Sequence, residues 1–526
     1  MADESFRLIE FLKNPSSYPH RPRQVRHIQT HVSHVFIASP YVYKVKKPVD
    51  FGFLDFSTLE KRRYYCEKEV ELNRRLCDIY LGVEEISELD GGLTFGRGKR
   101  VVEYAVKMKE LPEEYFLKNL LSKGRVKEED FIRVVDKLVE FYGGQRSNEY
   151  ISGFGKPDKI RFNVDENFTQ TECFIGDTIS KAAFYALRLY NDLFFEKRSS
   201  VFEERVKRGF IKDCHGDLHL EHINLNPEGI CIYDCIEFNE RFRYIDVASD
   251  VAFLSMDLDY NGYRELSKIV VSEISRRMND ETIFDVIEFY KCYRAYVRGK
   301  VESFRGEDKE VSEEERKKAK ERAKDYFRLA LNYAVCGSMP VFFVIFGIIG
   351  TGKTTLATAL SKELSCAVIS SDSIRKEIMG IAPTERVYSG FGEGIYSRDI
   401  TERTYSELLE RGKRIVESGG AVILDASFSK AHFRKRVISE ADLLKVPVYF
   451  IETKASDEAI RKRLIEREIE GRAVSDGRVE IFERFKEEFE NPSELPSRVL
   501  ISVDTEGNLD EVLTHTLCEV VSKRFL

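Results

Sequence analysis

The sequence predicts a chain in two parts, a bilobed α+β part followed by an α/β part built around a parallel sheet. Three observations carry that expectation. The length of 526 residues exceeds the ~250–300 at which one hydrophobic core usually stops growing, so two major units are expected, the larger one bilobed. Near the start, apolar and polar residues alternate at the period of a strand and then give way to long stretches at the period of a helix. After position 340, short apolar runs alternate with helical stretches, the pattern of parallel strands with helical crossovers.

Taken in order, HVFIASPYVYKVKKPV reads as two strands joined by a turn at Ala38 to Pro40, with Tyr41, Tyr43 and Val45 on one face and Val42, Lys44 and Lys46 on the other. STLEKRRYYCEKEVELNRRL opens with a capping box, Ser57 with Glu60, and continues at a helical apolar period. VVEYAVKMKELP is a further strand stopped by Pro112. These elements make a small lobe. From Glu113 to Tyr142 and from Thr178 to Phe210 the pattern is mainly helical and supplies a larger lobe. A short strand is expected around Ile230 to Ile236, then helices from Ala248 to about Val335. The run GEDKEVSEEERKKAKERAK mixes both signs of charge at helical spacing and reads as a solvated helix. The boundary is expected at CGSMP, Cys336 to Pro340, giving parts 1–336 and 337–526. Beyond it VFFVIF, CAVIS, AVILDA and VPVYFIE are the strands of the parallel sheet.

Composition narrows the function classes. A net charge of -7 gives no global attraction for nucleic acid or an anionic membrane. The start MADESFRLIEFLKN lacks the basic and apolar regions of a signal peptide, and the longest apolar run, Val341 to Ile349, falls far short of the ~20 residues of a membrane span. A cytoplasmic protein with no membrane partner is expected. The ten cysteines are scattered rather than paired as C-x-x-C, which argues against zinc; Cys231 and Cys235 in CIYDC read as small apolar residues of a buried strand, with reduced thiols.

GIIGTGKTT, Gly347 to Thr355, fits G-x-x-x-x-G-K-[ST] between an apolar strand and the helical TLATALSKEL. Gly347, Gly350 and Gly352 let backbone N–H groups turn onto phosphate oxygens, with Thr351 and Thr355 in the same loop and helix start. Lys353 neutralises charge on the outer phosphates, and the Thr354 hydroxyl is suited to Mg2+. In the following SSDSIRKEI, Asp372 can accept the proton of an acceptor hydroxyl, and Arg375, one turn on, can hold a phosphate; a helix N-cap is the other reading of Asp372. The arrangement resembles the P-loop kinases of the polynucleotide kinase and gluconate kinase-like group. That resemblance implies a metal-associated acid at Asp425 in ILDASF. It also implies a lid carrying Arg463, Arg467 and Arg472 in RKRLIEREIEGR, where a solvated helix face is the competing reading. ISVDTEG resembles the segment beside the adenine too weakly to receive a role.

HGDLHLEHI, His215 to Ile223, followed by IYDCIEF, supplies two acids on consecutive loops, Asp217 as a base and Asp234 as a metal ligand. Here residues from about 25 to 335 resemble the aminoglycoside phosphotransferase and choline kinase family. The shared features are HGDLH, YDCIEF, YIDVASDVAFL with Asp246, and FYKCYRAYVRGK. The resemblance implies a protein-kinase-like bilobed fold, Lys44 gripping the α- and β-phosphates, Glu69 as its helix partner, and Lys107 to Leu111 beside the adenine. Lys46 shares the face of Lys44 and leaves that assignment open. The chain departs from the family at His222, a candidate metal ligand where asparagine usually stands; because Mg2+ favours oxygen over nitrogen, either one metal is bound chiefly through Asp234, or Mg2+ is held through a water, or this part binds nucleotide without efficient transfer. His215 and His219 read as structural.

The sequence therefore predicts two ATP-dependent phosphotransferase domains, with ATP or GTP and Mg2+ as cofactors and small polar hydroxyl compounds as acceptors. A second reading makes the C-terminal part a 5′-hydroxyl polynucleotide kinase, which needs a basic groove near Arg375, Arg434 and Arg436. A third makes the N-terminal part a nucleotide-binding regulatory module.

Overall fold

The alternating segment near the start forms the expected hairpin. In this computed structural model, which describes residues 2–227, 229–382, 394–470 and 482–526, with only the backbone at 2, 3 and 467–470, β1 (Arg26–Gln29), β2 (Ser33–Ala38) and β3 (Tyr41–Lys46) run antiparallel. With β4 (Tyr80–Leu89), β5 (Gly92–Phe95) and β6 (Arg100–Lys109) they form a six-stranded antiparallel sheet, order β1-β2-β3-β6-β4-β5. Both faces of β3 are covered. Tyr43 and Val45 join a core with Leu12, Tyr18, Phe36 and Ile86, while Lys44 and Lys46 on the opposite parity reach Glu69 of the helix Leu59–Asn73. That helix does not start with the expected capping box. Its N-cap is Thr58, which accepts from the Lys61 N–H, because the Ser57 hydroxyl already donates to Asp55 at 2.6 Å.

Helices Leu117–Ser122 and Glu128–Gly144 follow. β7 (Ile211–Asp213), β8 (Ile223–Asn226), β9 (Gly229–Ile232) and β10 (Tyr244–Asp246) make two small ribbons, β10-β7 and β8-β9. The strand expected to run on to Ile236 stops at Ile232, since Asp234 takes a left-handed φ of +64° that no strand continues. Cys231 is not a reduced apolar filler. It is joined by a disulfide to Cys77, with Cα atoms 4.7 Å apart, because the turn after the helix Leu59–Asn73 and β9 meet in one core with Cys66, Val70, Ile79 and Tyr80. Asp246 caps the helix Val247–Tyr260 and, with Asp280, encloses the fully buried Arg205 guanidinium.

β11 (Phe342–Phe346), β12 (Ala367–Ser370), β13 (Val422–Asp425), β14 (Val448–Lys454) and β15 (Leu500–Asp504) form the parallel sheet, order β12-β13-β11-β14-β15. Central β11 is buried along its whole length, as its unbroken apolar run requires. The charged helix Glu313–Cys336 does pair Lys317 with Glu313 and Lys318 with Glu314 on its wet face, yet Ala319, Ala323, Tyr326 and Phe327 bury its other side.

By packing, the chain divides into Met1–Arg161 with Ser200–Lys291 and Phe162–Ser199 with Cys292–Leu526. This division runs elsewhere than the 336/337 junction. The parallel sheet's last helix, Leu509–Lys523, packs on the helix Lys181–Arg198. Ser180 donates to Glu363 at 2.7 Å, and Arg524 donates to the Tyr333 carbonyl at 2.6 Å. Among the described residues, no helix is long and apolar enough to cross a membrane.

Candidate active sites

The first site lies among β3, the Leu59–Asn73 helix and the loops around β8 and β9. Lys44 Nζ is 2.9 Å from Glu69 Oε1 and 2.5 Å from Asp234 Oδ1. Lys46 Nζ is 2.6 Å from Glu69 Oε2 and also pairs with Glu237. The two lysines thus divide one glutamate, and Lys44 is the one that reaches Asp234. Burial opposes the Lys44 charge, but Asp234 and Glu69 outweigh it and raise its pKa well above the ordinary value. Against the same burial, Lys44 holds the Asp234 carboxyl below the usual carboxylate range.

The HGD loop is held by a residue that motif reading missed. Asp250 accepts from the N–H groups of His215 and Gly216 at 3.0 and 2.8 Å and from the Tyr142 hydroxyl at 2.9 Å. Its signal was present, because a buried acid inside the apolar helix VASDVAFL needs partners. Gly216 has φ +87°, and a Cβ there would lie 2.7 Å from the Phe242 carbonyl. His215 accepts the Asp217 N–H at Nδ1, 3.2 Å, which leaves Nε2 as donor to the Tyr233 carbonyl at 2.9 Å. It is structural, as expected, and burial lowers its pKa.

His222 and His219 sit beside the acids. His222 Nδ1 is 2.9 Å from the Asp217 carbonyl oxygen, and His222 Nε2 is 3.6 Å from Asp234 Oδ2. His219 Nε2 is 3.6 Å from Asp217 Oδ2. Burial, reinforced by His219, pushes the His222 pKa down to about 4, so the ring is neutral near pH 7. His219, read as structural, accepts the Glu221 N–H at Nδ1 but also joins Asp217 and His222 in a group whose donor atoms lie within 4.8 Å of one another. A pair with a nitrogen donor at His222 does not fit Mg2+.

The second site lies at the carboxyl ends of the parallel strands. Gly347 has φ +146°, and a Cβ there would lie 2.6 Å from the Thr453 carbonyl; Gly352, φ +87°, stands at the N-cap of the helix Lys353–Leu364. Gly350 also has a positive φ, +79°. The Thr351 hydroxyl turns into the fold, donating to the Ile348 carbonyl and meeting the Thr453 hydroxyl at 2.7 Å. Lys353 Nζ donates to the Ile348 carbonyl at 2.8 Å. The Thr354 hydroxyl donates to Asp425 Oδ2 at 2.8 Å, while Thr355 is exposed. A hydroxyl and a carboxylate in contact at the P-loop are a hard oxygen set, which fits Mg2+.

Asp372 is the second residue of the helix Ser371–Ile378, whose N-cap is Ser370, so its carboxylate is not the cap. Arg375 does not face outward for a phosphate. It is buried against the Tyr396 ring and donates to the Ile395 carbonyl at 2.9 Å and to Thr401 at 3.1 Å. Nor do Arg375, Arg434 and Arg436 form a basic groove, since Arg434 is fully buried with Glu494 and Arg436 pairs with Glu402. Of the lid arginines, Arg463 donates to the Thr505 hydroxyl and carbonyl at 3.0 and 2.6 Å beside Gly352. The Arg467 side chain and Arg472 lie outside the described residues. Thr505, in the segment given no role, donates to the Thr351 carbonyl at 2.7 Å and so ties the end of β15 to the P-loop.

Residues 342–492 match the family model of an AAA domain, a span that includes the P-loop, Asp372 and Asp425. An uncharacterized protein of Mycobacterium tuberculosis is 29% identical over 407 residues, 77% of this chain and 79% of its own length. A shikimate kinase of Thermodesulfovibrio yellowstonii is 30% identical over 81 residues, 15% of this chain and 46% of that enzyme. Among solved structures, a gluconokinase from Sinorhizobium meliloti is 18% identical with a TM-score of 0.26, covering 35% of this chain and 93% of that one.

Proposed function

We propose that the chain is an ATP-dependent phosphotransferase acting on hydroxyl groups of small polar metabolites. In this reading 337–526 is a P-loop kinase part and 1–336 an aminoglycoside phosphotransferase-like part. The observation that carries it is the contact of the Thr354 hydroxyl with Asp425 at the P-loop, with Asp372 in the first turn of the next helix. When Mg2+ is bound, Thr354 and Asp425 would hold it, and it supplies charge neutralisation on the outer phosphate oxygens. Lys353, which donates to the Ile348 carbonyl at the P-loop, neutralises charge on the outer phosphate oxygens. Asp372 takes the acceptor hydroxyl's proton as the new O–P bond forms and the bond to the departing nucleoside diphosphate breaks. The relative named shikimate kinase supports a small-molecule acceptor. The burial of Arg375 and Arg434 weighs against the polynucleotide reading, which needs a basic groove near Arg375, Arg434 and Arg436.

In the N-terminal part, Lys44 binds phosphate, Glu69 positions it and Asp217 serves as base. The nitrogen of His222 favours the regulatory alternative, in which this part binds nucleotide without transfer. The test is labelled ATP or GTP, with Mg2+, offered to the intact chain with a panel of hydroxyl metabolites and oligonucleotides. Transfer to a small hydroxyl acceptor that falls at least ~100-fold in Lys353→Ala supports the reading. Transfer confined to oligonucleotides, or undiminished by Lys353→Ala, overturns it.

A further inference from the structure

We infer that the N-terminal site is built for a transition-metal dication that accepts a nitrogen ligand more readily than Mg2+ does, such as Zn2+ or Mn2+, held between His222 Nε2 and Asp234 Oδ2. The inference deepens the reading of this part as a nucleotide site and rests on it only for what the cation serves. The first ground is the tautomer. His222 Nδ1 lies 2.9 Å from the Asp217 carbonyl oxygen, which can only accept, so Nδ1 carries the hydrogen and Nε2 presents a lone pair. The same backbone contact fixes the ring, as a partner on the second nitrogen does for metal-binding histidines in general.

The second ground is what that lone pair faces. Asp234 Oδ2 stands 3.6 Å away, too far for a hydrogen bond and with no hydrogen between the two atoms. Two Zn2+–ligand bonds of about 2.1 Å at a tetrahedral angle span about 3.4 Å, whereas the right-angled pair of an octahedral Mg2+ spans about 2.9 Å. The observed gap lies nearer the first. Lys44 occupies Asp234 Oδ1 and leaves Oδ2 toward the histidine. Asp217 Oδ2 stands at the other ring nitrogen, 3.5 Å from His222 Nδ1, with His219 Nε2 3.6 Å from that oxygen. Imidazole with carboxylate selects first-row transition metals over Mg2+, where asparagine in the same place would supply a hard oxygen.

The test uses the intact chain without nucleotide, titrated with Mn2+, Zn2+ or Mg2+, with pulsed EPR of the Mn2+-loaded protein. The expected result is one Mn2+ or Zn2+ per chain bound at least tenfold more tightly than Mg2+, with 14N coupling from an imidazole. His222→Asn should lose the coupling and the tenfold preference. The wild-type spectrum decides the matter even if that variant does not fold. Mg2+ bound as tightly as Mn2+, or bound Mn2+ without 14N coupling, overturns the inference. Nucleotide titration of Lys353→Ala separates the two claims. Nucleotide bound there without an imidazole-coupled metal keeps the nucleotide site and sinks the metal, and an imidazole-coupled metal with no nucleotide does the reverse.

Discussion

Asp372 lies one residue inside its helix and is not the cap, so its removal should affect chemistry before stability. Asp372→Asn should lower kcat by ~10²–10⁴ with little change in nucleotide affinity, read by steady-state kinetics beside a nucleotide titration. An equal loss of binding and melting temperature would mark it as structural. His215 gives a prediction in pH. Burial lowers its pKa from 6.5, so the folded ring stays neutral where the unfolded chain has begun to take a proton. The stability it contributes is therefore present above about pH 6.5 and lost as pH falls from there toward the folded value. Thermal unfolding between pH 7.5 and 4.5 should show a shallower fall in His215→Gln than in the wild type, and parallel curves would refute the assignment.

Between elements, the disulfide Cys77–Cys231 fixes the turn that follows the Leu59–Asn73 helix, which carries Glu69, to β9, which leads into Asp234. It closes a sequence separation of 154 residues. Cys231→Ala should cost about 2–5 kcal/mol in urea unfolding under oxidising conditions, and reductant should bring the wild type toward the variant. Coincident curves for the two proteins without reductant would show that the link contributes nothing. Asn73 adds a second tie, accepting the Cys235 N–H at 2.8 Å. The helix and the turn after it thus hold the Asp234 loop by a polar and a covalent contact on either side of it.

At the scale of the molecule, the last helix of the parallel-sheet region packs on a helix that lies before position 338. The helix Leu509–Lys523 buries Val512, Leu513, Leu517 and Val520, and its partner Lys181–Arg198 precedes the sheet by well over a hundred residues in sequence. Tyr190 faces Phe525 with ring centroids 5.8 Å apart. Residues 338–526 expressed alone should melt more than ~5 °C below the corresponding transition of the intact chain, or aggregate, because that apolar face is exposed. A fragment as stable and monomeric as the intact chain would show that the packing is dispensable.

By itself the sequence determined the local chemistry. GIIGTGKTT between an apolar strand and a helix, the hairpin at Ala38 to Pro40, and the two acids around HGDLH are set by spacing and by backbone demands that act within a few residues. The tertiary structure alone decided what depends on distant partners. It assigned Lys44 rather than Lys46 to Asp234, turned Arg375 inward onto Tyr396, gave the HGD loop its Asp250, joined Cys77 to Cys231, and moved the helix Lys181–Arg198 to the parallel sheet. The reason is physical. A side chain's ionic and apolar partners are chosen by burial in three dimensions, where cost and gain depend on which charges and surfaces meet, and residues far apart in sequence carry no local mark of that meeting.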